Sequence, residues 1–222
     1  MTHLTPWMVE SAYRYLTAAK HLRRGHDMLD TAQINAALGM ETLLKSFVSK
    51  PNGNLGQVNE TYKLDNDAIE AAHEHLKTAE KIPANRKYPN KHDLLTLFYA
   101  IPEPIRQRVR LDRHEHWIEK YRDVFTNARY RYENGAPKSY DDILIGVLDE
   151  LIDNVVAWYC ELGSRVVLRR NDDPIPIATS CKPNQELKKI HSAIAQSIWS
   201  KFLLILGSDS VHMASLRRNF VP

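Results

Sequence analysis

The chain is poor in cysteine and glycine, and it contains no long apolar run. Its two cysteines, Cys160 and Cys181, show no CxxC spacing, which fits free thiols in a reducing cytoplasm better than a disulfide framework. Its eight glycines form neither a GxxxxGKS/T loop nor a GxGxxG loop, which excludes nucleotide hydrolysis by a P-loop. No stretch reaches the roughly 18 apolar residues of a membrane span, and the N-terminus lacks the pattern of a signal peptide. We therefore expect a soluble, cytoplasmic protein.

Size and charge limit the organisation of the protein without naming its partner. A chain of 222 residues with 43% hydrophobic residues can bury one sizeable core. We expect a single domain over residues 1–207, with an insertion at 51–90 and a C-terminal tail at 208–222. The formal net charge of +3 creates no strong overall field, so it permits an RNA or DNA partner but does not require one.

The triplet His-Glu-His occurs twice, at residues 73–75 and 114–116. Two residues that are two positions apart on a helix point about 200° away from each other, so neither pair of histidines forms a chelating face. We expect no metal site and no cofactor.

Apolar residues recur at the spacing of three and four that is typical of amphipathic helices. The first helix is predicted within residues 5–25, with Pro6 in its first turn. The second helix is predicted to begin at Asp30, because Asp30 and Gln33 have the spacing of a capping box. It should end before Pro51.

The middle of the chain predicts a loop and several shorter helices. The stretch KPNGNLGQVNETYKLDN is rich in turn-forming residues and indicates an exposed loop, followed by a short amphipathic helix that carries Ile69 and Leu76. The stretch NKHDLLTLFYAIP predicts a short helix that ends near Pro102. Residues 104–133 predict one bent helix or two short ones.

The most strongly periodic segment is SYDDILIGVLDELIDNVVAWYCELG. Ser139 and Asp142 have the spacing of a second capping box, and Gly163 stands where a C-terminal cap is needed. A last helix is predicted over 185–207. Because no alternation of period two persists beyond a few residues, we predict an all-α fold with no sheet.

The segment FTNARYRYENGAP, residues 125–137, concentrates arginines and aromatic rings just before the long helix. Such a segment can bind a phosphate, stack on a base or close the core between two helices. The three roles imply different proteins.

Three local features together resemble the HEPN domain, a helical-bundle family of higher-eukaryote and prokaryote nucleotide-binding proteins. The second helix reads AALGMETLLKSFVS, with Glu41 and Lys45 one turn apart; KHDL follows after a variable insertion; and FTNARYRYE precedes the long apolar helix. The resemblance covers roughly residues 8–165. It implies an up-and-down helical bundle that forms a homodimer.

Many HEPN proteins are metal-independent endoribonucleases that use an arginine and a histidine separated by four to six residues. Arg129 occupies the place of that arginine, but Asn134, Gly135 and Ala136 stand where the histidine is expected. The resemblance therefore implies that the activity is lost or that the site is built differently. It also suggests a role in prokaryotic toxin, phage-defence or stress systems.

RNA cleavage without a metal requires proton carriers as well as a cation for the developing charge. Arginine supplies only the cation, because it remains protonated near neutral pH. By family analogy the proton carrier is His92 of KHDL, which joins Arg129 as a candidate catalytic residue. The candidate phosphate-binding residues are Arg131, Lys45, Arg108, Arg110 and His114. The candidate supporting residues are Glu41, Asp93, Tyr130 and Glu133.

Structural roles are open for the same residues. Tyr130 can be a packing residue, Glu133 can pair with an arginine inside the bundle, and Glu41 with Lys45 can be an ordinary surface ion pair. Two functions therefore compete: an RNA-directed HEPN protein, either nuclease or binder of RNA or nucleotide, and a non-enzymatic helical module that binds a protein partner. A cleft that gathers these ionisable groups would favour the first function, and scattered groups would favour the second.

Overall fold

A computed structural model describes residues 5–55, 57, 60–125 and 140–163, and this part of the chain is mostly helical, as predicted. Its α-helices are α1 (Pro6–Leu22), α2 (Leu29–Phe47), α3 (Asn66–Thr78), α4 (Leu94–Ala100), α5 (Glu103–Arg108), α6 (Glu115–Lys120) and α7 (Ile143–Glu161). A 3-10 helix, Leu111–His114, lies between α5 and α6. A small two-stranded sheet consists of β1 (Ser49–Gly53) and β2 (Thr61–Leu64).

The core is built on the hairpin of α1 and α2, against which α7 packs. Pro6 occupies the first turn of α1, as predicted, where its missing N–H leaves no donor unpaired. The two helices approach closely at Gly39 of α2. A Cβ atom there would lie 3.2 Å from the carbonyl oxygen of Ala12 and 2.6 Å from Cδ2 of Leu148. Glycine at this position therefore allows three helices to meet.

Both capping boxes predicted from the sequence, Asp30–Gln33 and Ser139–Asp142, are wrong as helix starts. Helix α2 begins at Leu29, one residue earlier, and the Asp30 carboxylate accepts a hydrogen bond from the Thr31 N–H. Helix α7 begins at Ile143, three residues after the predicted start, and the Ile143 N–H donates to Oδ1 of Asp141; Ser139 lies outside the described residues. At both starts an aspartate accepts a hydrogen bond from the backbone N–H of a residue one or two positions later.

The C-terminal end of α7 agrees with the sequence. Gly163 has φ of +80°, and its N–H donates to the carbonyl oxygen of Cys160. This left-handed conformation favours glycine, which ends the helix there.

The predicted loop after α2 is instead partly a β-hairpin. Strand β1 pairs with β2 in antiparallel register, Ser49 opposite Leu64, with an irregularity between Pro51 and Gly53. The strands are only five and four residues long and are rich in Lys, Pro and Asn, so no alternating pattern could be recognised. The prediction of no sheet was wrong here, although the fold remains mainly helical.

The short helix within the predicted insertion contributes to the core. Ile69, Ala72 and Leu76 of α3 are buried, and α3 packs against α4, which in turn contacts α2 and α6. The short helix from KHDL was predicted correctly, as α4, and Asp93 is its N-cap. The described part of residues 104–133 contains the two short helices α5 and α6 with a 3-10 turn between them, and it becomes helical again at Val124 and Phe125, so it is not one bent helix.

Within the described ranges, no helix is both long enough and apolar enough to cross a membrane. The predicted last helix at 185–207, the tail at 208–222 and most of the segment FTNARYRYENGAP lie outside these ranges. The predicted end of the domain at residue 207 therefore stays a prediction.

Candidate functional site

Three of the predicted site residues meet between α2 and the start of α4. The Lys45 Nζ atom lies 2.6 Å from Oε1 of Glu41, one helical turn away, and Nδ1 of His92 lies 2.8 Å from the same oxygen. The carboxylate side chain is 9% exposed, the lysine 17% and the imidazole 58%. A nearly buried carboxylate thus orients a histidine that reaches solvent.

The Glu41–Lys45 pair is not the ordinary surface pair that its i, i+4 spacing also suggested. Both side chains are largely buried. A buried ion pair is screened by salt and water less than a pair at the surface. The second carboxylate oxygen of Glu41, Oε2, is buried and has no hydrogen-bond partner among the described residues. Both donors therefore converge on a single oxygen.

The contact with Glu41 determines which nitrogen of His92 carries the hydrogen. An ionised carboxylate only accepts hydrogen bonds, so Nδ1 must be the donor. In the neutral imidazole the lone pair then lies on Nε2. Proton-carrying histidines in enzymes are oriented by a carboxylate in the same way, with one nitrogen held and the other presented to the substrate.

An aromatic ring supports His92 on one side. The rings of His92 and Phe125 are stacked, with centroids 6.4 Å apart and planes inclined by 29°. Phe125 is the first residue of FTNARYRYENGAP and the last one before the range 126–139, which is not described. Four predicted site residues lie in that range, and their roles stay predictions: Arg129, Tyr130, Arg131 and Glu133.

Asp93, next to His92, is buried and does not line an open cleft. Its side chain is 1% exposed and accepts hydrogen bonds from the Leu95 N–H at 3.2 Å and the Thr96 hydroxyl at 2.7 Å. Arg122 donates to both of its oxygens, from Nε at 3.0 Å and from Nη2 at 2.6 Å. The carboxylate is thus fully engaged in structure, which excludes it as a proton carrier in this conformation.

Arg122 was missed by the sequence reasoning. The available signal was Asp93, the residue before α4, since a buried carboxylate is usually paired or fully hydrogen-bonded. The sequence does not indicate which of many arginines pairs with it. The choice depends on the position of α6, which the helix pattern does not specify.

Three of the predicted phosphate-binding residues lie between the end of α5 and the end of the 3-10 helix that follows it: Arg108, Arg110 and His114. Two of them pair with α7. Arg108 forms an ion pair with Glu161, and Nε2 of His114, whose side chain is only 12% exposed, lies 3.5 Å from the Glu150 carboxylate. Arg110 has a left-handed backbone with φ of 59° just before the 3-10 helix. Among the described contacts, none joins these residues to Glu41, Lys45 or His92. The position of the His92 group therefore does not support their predicted role in phosphate binding.

A polar cluster links the residues on either side of the range 126–139. The Tyr121 hydroxyl donates to Oδ1 of Asp141, and Lys120 Nζ lies 3.1 Å from Oδ2. Burial raises the pKa of Asp141, but hydrogen bonds from Tyr121, Lys120 and the Ile143 N–H outweigh this and hold the pKa below its usual value. Burial, followed by the bond to Asp141, raises the pKa of Tyr121.

No group of three or more metal-ligating side chains comes together in the residues described. Comparisons of the chain with protein-family models, with curated proteins and with solved structures found no match.

Proposed function

We propose that this protein acts on RNA and cleaves it without a metal, with His92 as the proton carrier and Glu41 as the residue that orients it. The observation that carries the proposal is the 2.8 Å contact between a 9% exposed carboxylate and a 58% exposed imidazole. Imidazole gains and loses a proton near neutral pH, which suits it to general acid–base catalysis. The resemblance to HEPN endoribonucleases supplies the substrate class.

The proposed reaction is an internal transfer at one phosphodiester. Nε2 of His92 accepts the proton of the 2′-hydroxyl, and the O2′–P bond forms while the P–O5′ bond breaks. Water protonates the departing 5′ oxygen. The products are a 2′,3′-cyclic phosphate and a 5′-hydroxyl, with no change in oxidation state.

Cations would stabilise the negative charge that develops on the phosphate. Lys45 lies beside the Glu41–His92 pair, called here the dyad, through its 2.6 Å contact with Glu41. We assign the other cationic contacts with the phosphate to Arg129 and Arg131. Arginine suits this role because its planar guanidinium binds phosphate through two hydrogen bonds.

A homodimer belongs to the same proposal and rests on the family resemblance. The apolar residues of α7 do not favour it, because Leu148, Leu151 and Val155 are buried within the bundle. Light scattering at micromolar concentration should give twice the mass of the chain. A monomer mass that does not change with concentration would remove the dimer from the proposal.

The test compares the parent protein with His92→Ala and Glu41→Gln on a mixed-sequence single-stranded RNA in the presence of EDTA. We expect cleavage to a 2′,3′-cyclic phosphate by the parent and a loss of at least tenfold in each variant, with RNA binding retained. The control is His26→Ala, because the His26 side chain is 95% exposed and its recorded ion pair is with its neighbour Asp27.

Two other outcomes decide against the nuclease. Binding of RNA by a parent protein that does not cleave it would leave an RNA binder. Absence of both binding and cleavage would favour a helical module that binds another protein.

A further inference from the structure

We propose that Arg122 is a positioning residue for the site: through Asp93, it holds the His92 imidazole against Glu41. The positioning itself is a structural claim, and only its effect on cleavage rests on the proposed function. The hydrogen bonds of Arg122 go to Asp93 and Lys81, so its influence on His92 must pass through the backbone of the residues that it holds.

A single guanidinium holds the chain at two separated points. Arg122 donates two hydrogen bonds to the Asp93 carboxylate, and its third nitrogen, Nη1, donates to the backbone carbonyl oxygen of Lys81 at 2.9 Å. Lys81 follows α3 closely, and Asp93 immediately precedes α4. The connection from 81 to 93 is therefore held at both ends by one side chain, which is only 16% exposed.

The position of Asp93 determines that of His92. Asp93 is the N-cap of α4, and its two oxygens also accept from the Leu95 N–H and the Thr96 hydroxyl. These bonds fix the side chain and the backbone of Asp93 together. Because consecutive Cα atoms are about 3.8 Å apart, fixing Asp93 limits how far the His92 backbone can move away from Glu41.

Apart from its contact with Glu41 and the stacked Phe125 ring, the remaining contacts of His92 are weaker anchors. Its backbone N–H donates to Oδ1 of Asn90 at 3.0 Å, a bond exposed to water, and its imidazole is more than half exposed. Exposed polar contacts contribute little because water competes for the same groups. The buried and doubly bonded Asp93–Arg122 pair is the stronger constraint, since charge-assisted bidentate bonds are the strong class of hydrogen bond.

The sharpest readout is the tautomer of His92, observed through the nitrogen chemical shifts of its ring in the full chain. With Glu41 accepting from Nδ1, the parent should show the Nδ1–H form at high pH. We expect Arg122→Lys, which keeps the charge but cannot form three bonds in one plane, to shift His92 towards the mixture of tautomers of a free histidine. Glu41→Gln provides the reference for a dyad that has lost its ionised acceptor.

A second variant separates positioning from folding. Asp93→Asn keeps an oxygen that can cap α4 but removes the charge and one acceptor for Arg122, and it should change the His92 signature in the same direction. Arg23→Lys is the matched control, because the Arg23–Asp142 pair is exposed on both sides, with atoms 3.0 Å apart. It should leave His92 unchanged.

The outcomes distinguish this inference from the proposed function. If Arg122→Lys and Asp93→Asn retain helical circular dichroism and the parent tautomer, Arg122 does not position His92 and the inference is overturned. If Arg122→Lys does not fold, the His92 tautomer in Asp93→Asn alone decides the inference. A parent protein that cleaves no RNA refutes the nuclease, but the nitrogen shifts still decide the role of Arg122. If RNA is cleaved, both variants should be slower by at least tenfold.

Discussion

The Glu41 carboxylate and the His92 imidazole are 51 positions apart in the chain and meet at 2.8 Å. The contact forms because α2 packs against α4, whose N-cap directly follows His92. Between the two residues the chain makes the β-hairpin and α3 before it returns. The site is therefore a consequence of how the helices pack. The contribution of each of these packing contacts to stability can be measured without any assay of cleavage.

Lys45→Met should destabilise the protein by about 1 to 3 kcal/mol, because among the described residues it leaves the nearly buried Glu41 carboxylate with His92 alone as a partner. The matched control is Lys50→Met, which removes a lysine that is 65% exposed in its pair with Asp65. It should cost less than about 1 kcal/mol. Urea unfolding of both variants measures the difference, and equal losses would mean that the Glu41–Lys45 pair behaves as a surface pair.

Gly39→Ala should destabilise the bundle by about 1 to 3 kcal/mol, because the added methyl group would overlap Leu148 and crowd the Ala12 carbonyl. Gly146→Ala is the control within α7. No atom of the described residues lies within 4 Å of a Cβ added at Gly146, so alanine should stabilise the helix by roughly 0.5 to 1 kcal/mol. Thermal melting of the two variants should therefore shift in opposite directions; a shift in the same direction would contradict the close approach of α1, α2 and α7 at Gly39.

Asp65 should make stability depend on acid pH. The Ala68 N–H, which it caps at the start of α3, and then Lys50 lower the pKa of its carboxyl. A carboxyl whose pKa is lower in the folded state contributes stability above its unfolded value of about 3.9, and this contribution is lost as the pH falls through the folded value. Asp65→Asn keeps a capping oxygen and removes the charge.

The difference in melting temperature between the parent and the Asp65→Asn variant should accordingly be largest above about pH 5 and should shrink towards pH 3. Asp67→Asn, in the first turn of the same helix, is the comparison for a charge without that capping bond. If the difference between the parent and Asp65→Asn stays constant across this acid range, the Asp65 charge does not contribute.

Arg129→Ala and Arg131→Ala test the segment with which the RNA hypothesis began. If both arginines bind phosphate from the solvent side, each variant should bind the RNA more weakly with an almost unchanged melting temperature, since an exposed cation contributes little to folding. Fluorescence anisotropy with labelled RNA and a melting curve give the two values. A loss of roughly 3 to 5 kcal/mol in each variant, together with no RNA affinity in the parent, would instead identify buried partners of carboxylates.

Much of the secondary structure was predictable because helices leave a local signal. Periodic apolar residues located α1, α2, α3, α4 and α7, and Gly163 marked the end of α7. The N-terminal boundaries of α2 and α7 were missed. Asp30 and Asp141 each accept a hydrogen bond from a backbone N–H one or two positions later, whereas a capping box spans three positions. The hairpin of β1 and β2 was missed because such short strands take their stability from the bundle and not from their own pattern.

The sequence by itself determined the helical class, because helix periodicity is written in neighbouring residues. The resemblance to the HEPN family brought forward Glu41, Lys45 and His92 as candidates. Only the tertiary structure decided that these three side chains meet, that Asp93 is withdrawn from the site and that Arg122 is its partner. Partners distant in sequence are selected by helix packing, which depends on all of the contacting surfaces at once. The spacing of residues within a single helix does not contain that information.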